Sequence, residues 1–299
     1  MHELFRKAPY TRFMEFIAPD ADRRSLLCSV LEESGLDFTE LVLGKNRHIV
    51  VFPRKRAFSA VAFTAHYDRA EGSSGANDNS AAVFMLLDAA LGFRGAAERG
   101  EGPSPVIFFT DNEELKTGET LEDQGAYALA LYLKENGFDG RIFIFDACGS
   151  GDTLIVSTAA DTLLRNVRDS RAAAFRGKVR ELRAEALEAA RNAGIEKTLL
   201  LPAPFSDDAG FFRAGLCAQT ITVLPSGEAA AFSALVRGQS GGHGAARSLL
   251  SDAVPRPADR RLIPETWRNL NGPGDSHIRL TTEHWKKVVA FAGALGRRQ

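Results

Sequence analysis

The run PVIFFT at residues 105–110, followed directly by Asp111, Asn112, Glu113 and Glu114, decides how this chain is read. An unbroken apolar run of that length suits a strand covered on both faces. Acidic groups straight after it suit the carboxyl end of such a strand, where open α/β sheets hold their ligands. The arrangement recurs twice. AVAFTA at 60–65 runs into His66, Tyr67 and Asp68, and RIFIF at 141–145 runs into Asp146. Further strand-like runs lie at 48–52, 153–157, 198–201 and 219–224. Helical periodicity fills 22–33, 80–91, 126–136, 172–193 and 282–295.

Such alternation predicts one α/β domain over 1–299, with a mostly parallel central sheet of about seven to eight strands and helices on both faces. Residues 225–264 hold Gly238, Gly241, Gly242, Pro255, Pro257 and Pro264, and read as an irregular lid or rim.

Charge narrows the partners. Lys and Arg total 37 against 38 Asp and Glu, a net charge of −1, so nucleic acid and an anionic membrane surface are not expected partners. The chain has three cysteines, Cys28, Cys148 and Cys217, too few and too scattered for a disulfide framework. The first 19 residues include Arg6, Lys7, Arg12 and Glu15 and form no apolar leader. No uncharged apolar stretch reaches the ~20 residues of a membrane span. These features together lead us to expect a cytoplasmic protein.

His66, Asp68, Asp78, Asp111, Glu113, Glu114 and Asp146 would converge on one edge of the sheet. Each alone could be an ordinary turn residue or helix cap. Gathered and buried, the acids would repel one another unless a cation neutralised them. Mixed nitrogen and oxygen ligation suits zinc, with manganese or cobalt as alternatives. The acids outnumber the places on one tetrahedral ion, which favours two bridged metals, an arrangement common in hydrolases.

Taken in order, TAHYD at 64–68, GANDNSA at 75–81, FFTDNEE at 108–114, Phe145-Asp146 and SDDAGF at 206–211 resemble the co-catalytic zinc aminopeptidase family, which includes the glutaminyl cyclases and non-enzymatic relatives. The resemblance implies a metal-dependent aminopeptidase acting on peptides or other substrates with a free N-terminal amine. It implies two zinc ions, with His66 and Asp146 on one, Asp78 bridging, and Glu114 on the other. Glu113 would be the general base for a metal-activated water, and Asp68 would orient His66. A cis peptide at Asp78–Asn79 is also implied. The family's last ligand, a histidine, falls on Asn271, so Asn271 is the expected fifth-ligand position, with His277 and then His243 as substitutes. A weak second site would leave a single-metal glutaminyl cyclase, or a weakened relative acting as a binding module, as the alternative. A rival reading takes GQSGG at 238–242 as a serine-hydrolase elbow around Ser240, with Asp252 or Asp275 and His277 or His284 as partners; it requires a strand just before it.

Overall fold

Side-chain alternation along the central strands determines the layers of this computed structural model, which describes residues 3–53, 60–100, 102, 104–164, 170–238 and 261–297. The strands are β1 (Phe38–Leu43), β2 (Asn46–Val51), β3 (Val61–His66), β4 (Val106–Thr110), β5 (Arg141–Phe145), β6 (Thr153–Ser157), β7 (Thr198–Leu201) and β8 (Ala218–Leu224). They form one eight-stranded sheet in the order β1-β2-β4-β3-β5-β8-β6-β7. β3 lies in the middle, parallel to β4 and β5, and β5 is parallel to β8. The β1–β2 hairpin joins β4 antiparallel at one edge, and β6 joins β8 antiparallel near the other.

Because strand residues point alternately to the two faces, each central strand feeds two cores. Phe63, Ile107, Phe109, Phe143 and Phe145 pack on one face against α2 (Arg23–Glu33), α3 (Ala81–Glu98), α6 (Ser170–Asn192) and the C-terminal helix α10 (Trp285–Gly296). Ala62, Val106, Phe108, Ile142 and Ile144 pack on the other against α4 (Gly125–Glu135) and α7 (Asp207–Ala214). The chain is therefore a single α/β domain with helices on both faces of a mostly parallel sheet.

α3 is apolar on nearly every side because it is sandwiched: Ala81–Leu87 are all fully or almost fully buried. Its length and composition would also suit a membrane span, but most of its apolar window lies inside the protein. The short α1 (Phe13–Phe16) and the turns before it add Tyr10, Phe13 and Phe16 around Phe84 and Trp285. Trp285 Nε1 donates to Gly149 O at 3.0 Å, so α10 also grips the loop after β5.

One expectation is corrected. The segment from 225 is not irregular at its start: Ser226–Arg237 form α8, whose Ala229 and Phe232 pack on β6–β8 and on Trp267 of α9 (Glu265–Arg268). Four alanines and one strand-facing stripe make a helix there despite Gly227. A helix, not a strand, thus precedes residue 238, which removes the context a serine-hydrolase elbow needs. Ser240, His243, Asp252, Pro255, Pro257 and the rest of 239–260 lie outside the described residues.

Replacing Trp285, which is fully buried, by alanine is expected to cost about 3–5 kcal/mol of unfolding free energy, read by denaturant melts. A cost under about 1 kcal/mol would show that α10 is not integral to the core.

Candidate metal centre

Three neighbouring parallel strands deliver the candidate ligands to one edge. β3 ends on His66, β4 leads into Glu113 and Glu114, and β5 leads into Asp146. Asp78 comes from the buried turn Ala76–Ser80 before α3. Two groups result, each with its ligand atoms within 4.8 Å of one another: His66 with Asp78 and Asp146, and His66 with Glu113 and Glu114. His66 Nε2 lies 3.0 Å from Asp78 Oδ1 and 3.7 Å from Asp146 Oδ1.

The turn carrying Asp78 is tied down on both sides. Asn79 Nδ2 donates to Phe145 O at 2.8 Å, and Asn79 Oδ1 accepts from Ala147 N at 3.2 Å. Asn77 Oδ1 accepts from Gly149 N at 2.7 Å. Behind it, the Asp275 carboxylate accepts from the backbone N–H groups of Asn77 (2.8 Å) and Asp78 (3.1 Å). The Asp78–Asn79 peptide is cis, as the resemblance implies. Ala147, directly after Asp146, sits at φ 49°, and Asn112, directly before Glu113, at φ 57°. Left-handed backbone costs a non-glycine residue roughly 1–2 kcal/mol. At Ala147 it is held by bonds that its carbonyl accepts from Thr222 Oγ1 and Val223 N at 3.1 and 3.4 Å.

Asp68 links the two groups. Its Oδ1 lies 3.4 Å from His66 Nδ1, while Oδ1 and Oδ2 accept from the backbone N–H groups of Glu113 and Glu114 at 3.1 and 3.0 Å. Burial opposes its ionisation, but His66 and these two amides outweigh burial and lower its pKa. From α2, Arg23 Nη1 donates to Asp68 O at 2.9 Å, and Nη2 bonds Ser80 Oγ. Gln124, at the start of α4, places its Nε2 3.3 Å from Glu113 Oε1. Asp207, fully buried, accepts from Thr110 Oγ1 at 2.6 Å.

Asp78, Glu113, Glu114, Asp207 and Asp208 are pushed the opposite way. Burial, joined by the charges of Asp146 and Asp275, drives Asp78 up to about 6 against the pull of His66. Burial and neighbouring carboxylates hold Glu113 and Glu114 well above the ordinary range. Burial takes Asp207 and Asp208 to about 7. Burial disfavours the His66 cation, yet the carboxylates of Asp146, Asp68 and Asp78 around it prevail and raise it well above 6.5. Within this crowd, Glu114 Oε1 and Asp146 Oδ1 are buried with no hydrogen-bond partner among the described residues. Buried, unmatched carboxylate oxygens beside an imidazole are the donor set a divalent ion satisfies, so these residues fit a metal.

The profile of peptidase family M28 matches residues 48–231, well over half of the chain and all the clustered ligands. The chain belongs to peptidase family M28. A search of the curated proteins finds no match to this M28 member. Among solved structures, the LapA aminopeptidase of Legionella pneumophila is 13% identical, with a TM-score of 0.59 over 97% of this chain and 69% of that one. A glutaminyl cyclase from Porphyromonas gingivalis is 14% identical, with a TM-score of 0.57 over 95% of this chain and 94% of that one. A zinc aminopeptidase from Bacillus subtilis is 18% identical over 83% of this chain, which spans about half, 49%, of that chain. At such identities the likeness is one of fold. Family and clusters together make this M28 member a metal-dependent hydrolase.

His66, Asp68, Asp78, Glu113, Glu114 and Asp146 thus come together as the sequence predicts. Asn271 and His277 are both exposed, and His277 joins neither ligand group. Asn271 sits at φ 60°. Gln124, Arg23 and Asp207 also reach this cluster. Asp207 belongs to the SDDAGF run at 206–211, whereas Gln124 and Arg23 carry no local sequence signal.

The pKa shifts set a pH dependence. Acids raised to about 6–7 in the fold keep protons that the unfolded chain releases near pH 4, so they lose stabilising effect as pH rises through that interval. His66, raised in the fold, loses its contribution in the same direction, as pH climbs through its folded value. Metal-free protein is therefore expected to melt at lower temperature at about pH 8 than at about pH 5, and zinc should raise the melting temperature most at the higher pH, where ligands are free of protons. A metal-free melting temperature that rises over this range would contradict the assigned shifts.

Proposed function

We propose that this chain is an aminopeptidase-type metallohydrolase that releases N-terminal residues from peptides. The observation that carries the reading is the joint placement of His66, Asp78 and Asp146 in one ligand group and His66, Glu113 and Glu114 in another. His66, Asp78, Asp146 and Glu114 would hold the ions, two per chain, with Asp78 shared. Zinc fits this donor set, and manganese or cobalt would also be accepted. Divalent ions held there would supply Lewis-acid polarisation of the scissile carbonyl and ready ionisation of water.

The chain's own residues do the rest. Glu113, held beside the other candidate ligands, takes a proton from the attacking water and passes it to the leaving amine. Asp68 keeps the His66 ring oriented while bracing the backbone of Glu113 and Glu114, so ligands and base move as one unit. The excess of buried acid attracts a substrate α-ammonium, which would confine cleavage to the peptide N-terminus. Asn271 supplies an amide where the family pattern has an imidazole, which would weaken the site nearest Glu114.

A second reading has one observation in its favour. The chain covers 94% and 92% of two glutaminyl cyclases from Porphyromonas gingivalis and an Acidobacteriales bacterium, against 69% of LapA. Under that reading one ion would serve cyclisation of an N-terminal glutamine.

Aminoacyl-p-nitroanilides and glutaminyl peptides, offered to zinc-loaded protein, separate the two. Chelator-sensitive release of p-nitroaniline supports the peptidase, and pyroglutamate formation without it supports the cyclase. Glu113→Gln is expected to cut kcat by about 10²–10⁴-fold with zinc still bound. Full activity in that variant would remove Glu113 as the base.

A further inference from the structure

Gln124 is fully buried and belongs to no motif, yet its amide faces the proposed base. The turn it sits on is fastened to the loop that carries Glu113. Thr120 and Asp123 cap each other's backbone reciprocally. Asn112 Nδ2 donates to Asp123 O at 2.7 Å, and Gly125 N donates to Asn112 O at 3.0 Å. Residue 125 has to be glycine, because a Cβ there would lie 1.8 Å from Asp111 O. On the far side α7 closes in. A Cβ on Gly210 would lie 2.4 Å from Gln124 Oε1, so two glycines let the turn and α7 press the carboxamide between them. Its oxygen, turned toward α7, meets no hydrogen-bond partner among the described residues, and its nitrogen bonds Glu113 Oε1 at 3.3 Å. A buried amide kept with one end unmatched is retained for what its other end does.

We propose that Gln124 is a positioning residue for Glu113. Its N–H occupies Glu113 Oε1 and sets the carboxylate plane, which leaves Oε2 to receive the proton. An amide suits the task because it donates without adding a charge to a crowded acidic site. The inference rests on Glu113 acting as the base.

Two variants of the full chain test it. Gln124→Met keeps the length and bulk but removes the donor, and Gln124→Glu keeps the shape but turns an acceptor toward Glu113. In the zinc-loaded protein both should lower kcat about 10- to 100-fold while KM stays within about twofold, with the larger loss in Gln124→Glu. Zinc stoichiometry and affinity by calorimetry should match the parent, because no ligand is touched. In crystals of Gln124→Met the Glu113 carboxylate should leave its rotamer. A Glu113 that keeps its rotamer in that crystal, a kcat within about twofold of the parent, or a loss confined to KM or zinc affinity would each overturn the role of Gln124. A parent chain inert on aminoacyl substrates would instead sink the functional reading, and the Glu113 rotamer would still judge Gln124.

Discussion

Buried carboxylates crowded around one imidazole repel each other, and the architecture near the sheet edge is organised to hold them there. Parallel pairing of β3 with β4 and β5 brings three strand ends side by side. Backbone and amide contacts then fix what the strands deliver. Asp275 receives two N–H bonds from the turn carrying Asp78, and Asn77 and Asn79 fasten that turn to the loop after β5. Asp68 braces Glu113 and Glu114 in the same manner. None of these contacts neutralises the acids. They fix geometry, and they leave the charge for a cation to balance.

The scaffold behind the site serves the same end. Arg23 comes from α2, outside the segment matched to the family, and joins the loops bearing Asp68 and Ser80. Its guanidinium stacks 4.4 Å over Phe16, so the N-terminal helices are packed into the rear of the site rather than appended to it. Trp285 does likewise from the other end of the chain, through its bond to Gly149. Both termini of the described chain thus support loops whose positions the chemistry depends on.

Much of this was legible in the sequence because buried parallel strands announce themselves. RIFIF and TLIVS mark β5 and β6 to the residue, since apolar runs covered on two faces tolerate no polar interruption, and TLLL marks the edge strand β7 although Leu200 there is exposed. β1 escaped notice because it is an edge strand of mixed burial, with Thr39 and Glu40 inside it. α8 escaped because its glycine and small residues were averaged with the Gly- and Pro-rich stretch that follows. The candidate ligands were readable from their places, His66, Glu113, Glu114 and Asp146 at or after strand ends and Asp78 ahead of a helix. Gln124 and Arg23 were not, because each reaches the site through a contact distant in sequence, by 11 and 45 residues respectively, that no local pattern encodes.

We infer that cations hold the acid cluster together. Crystals grown with zinc and measured on both sides of its absorption edge test it most directly. An anomalous peak between His66, Asp78 and Asp146, with a second, weaker one beside Glu114, is the predicted result. Anomalous peaks found only on the protein surface, with the cluster filled by water or by protonated carboxyl pairs, would contradict it.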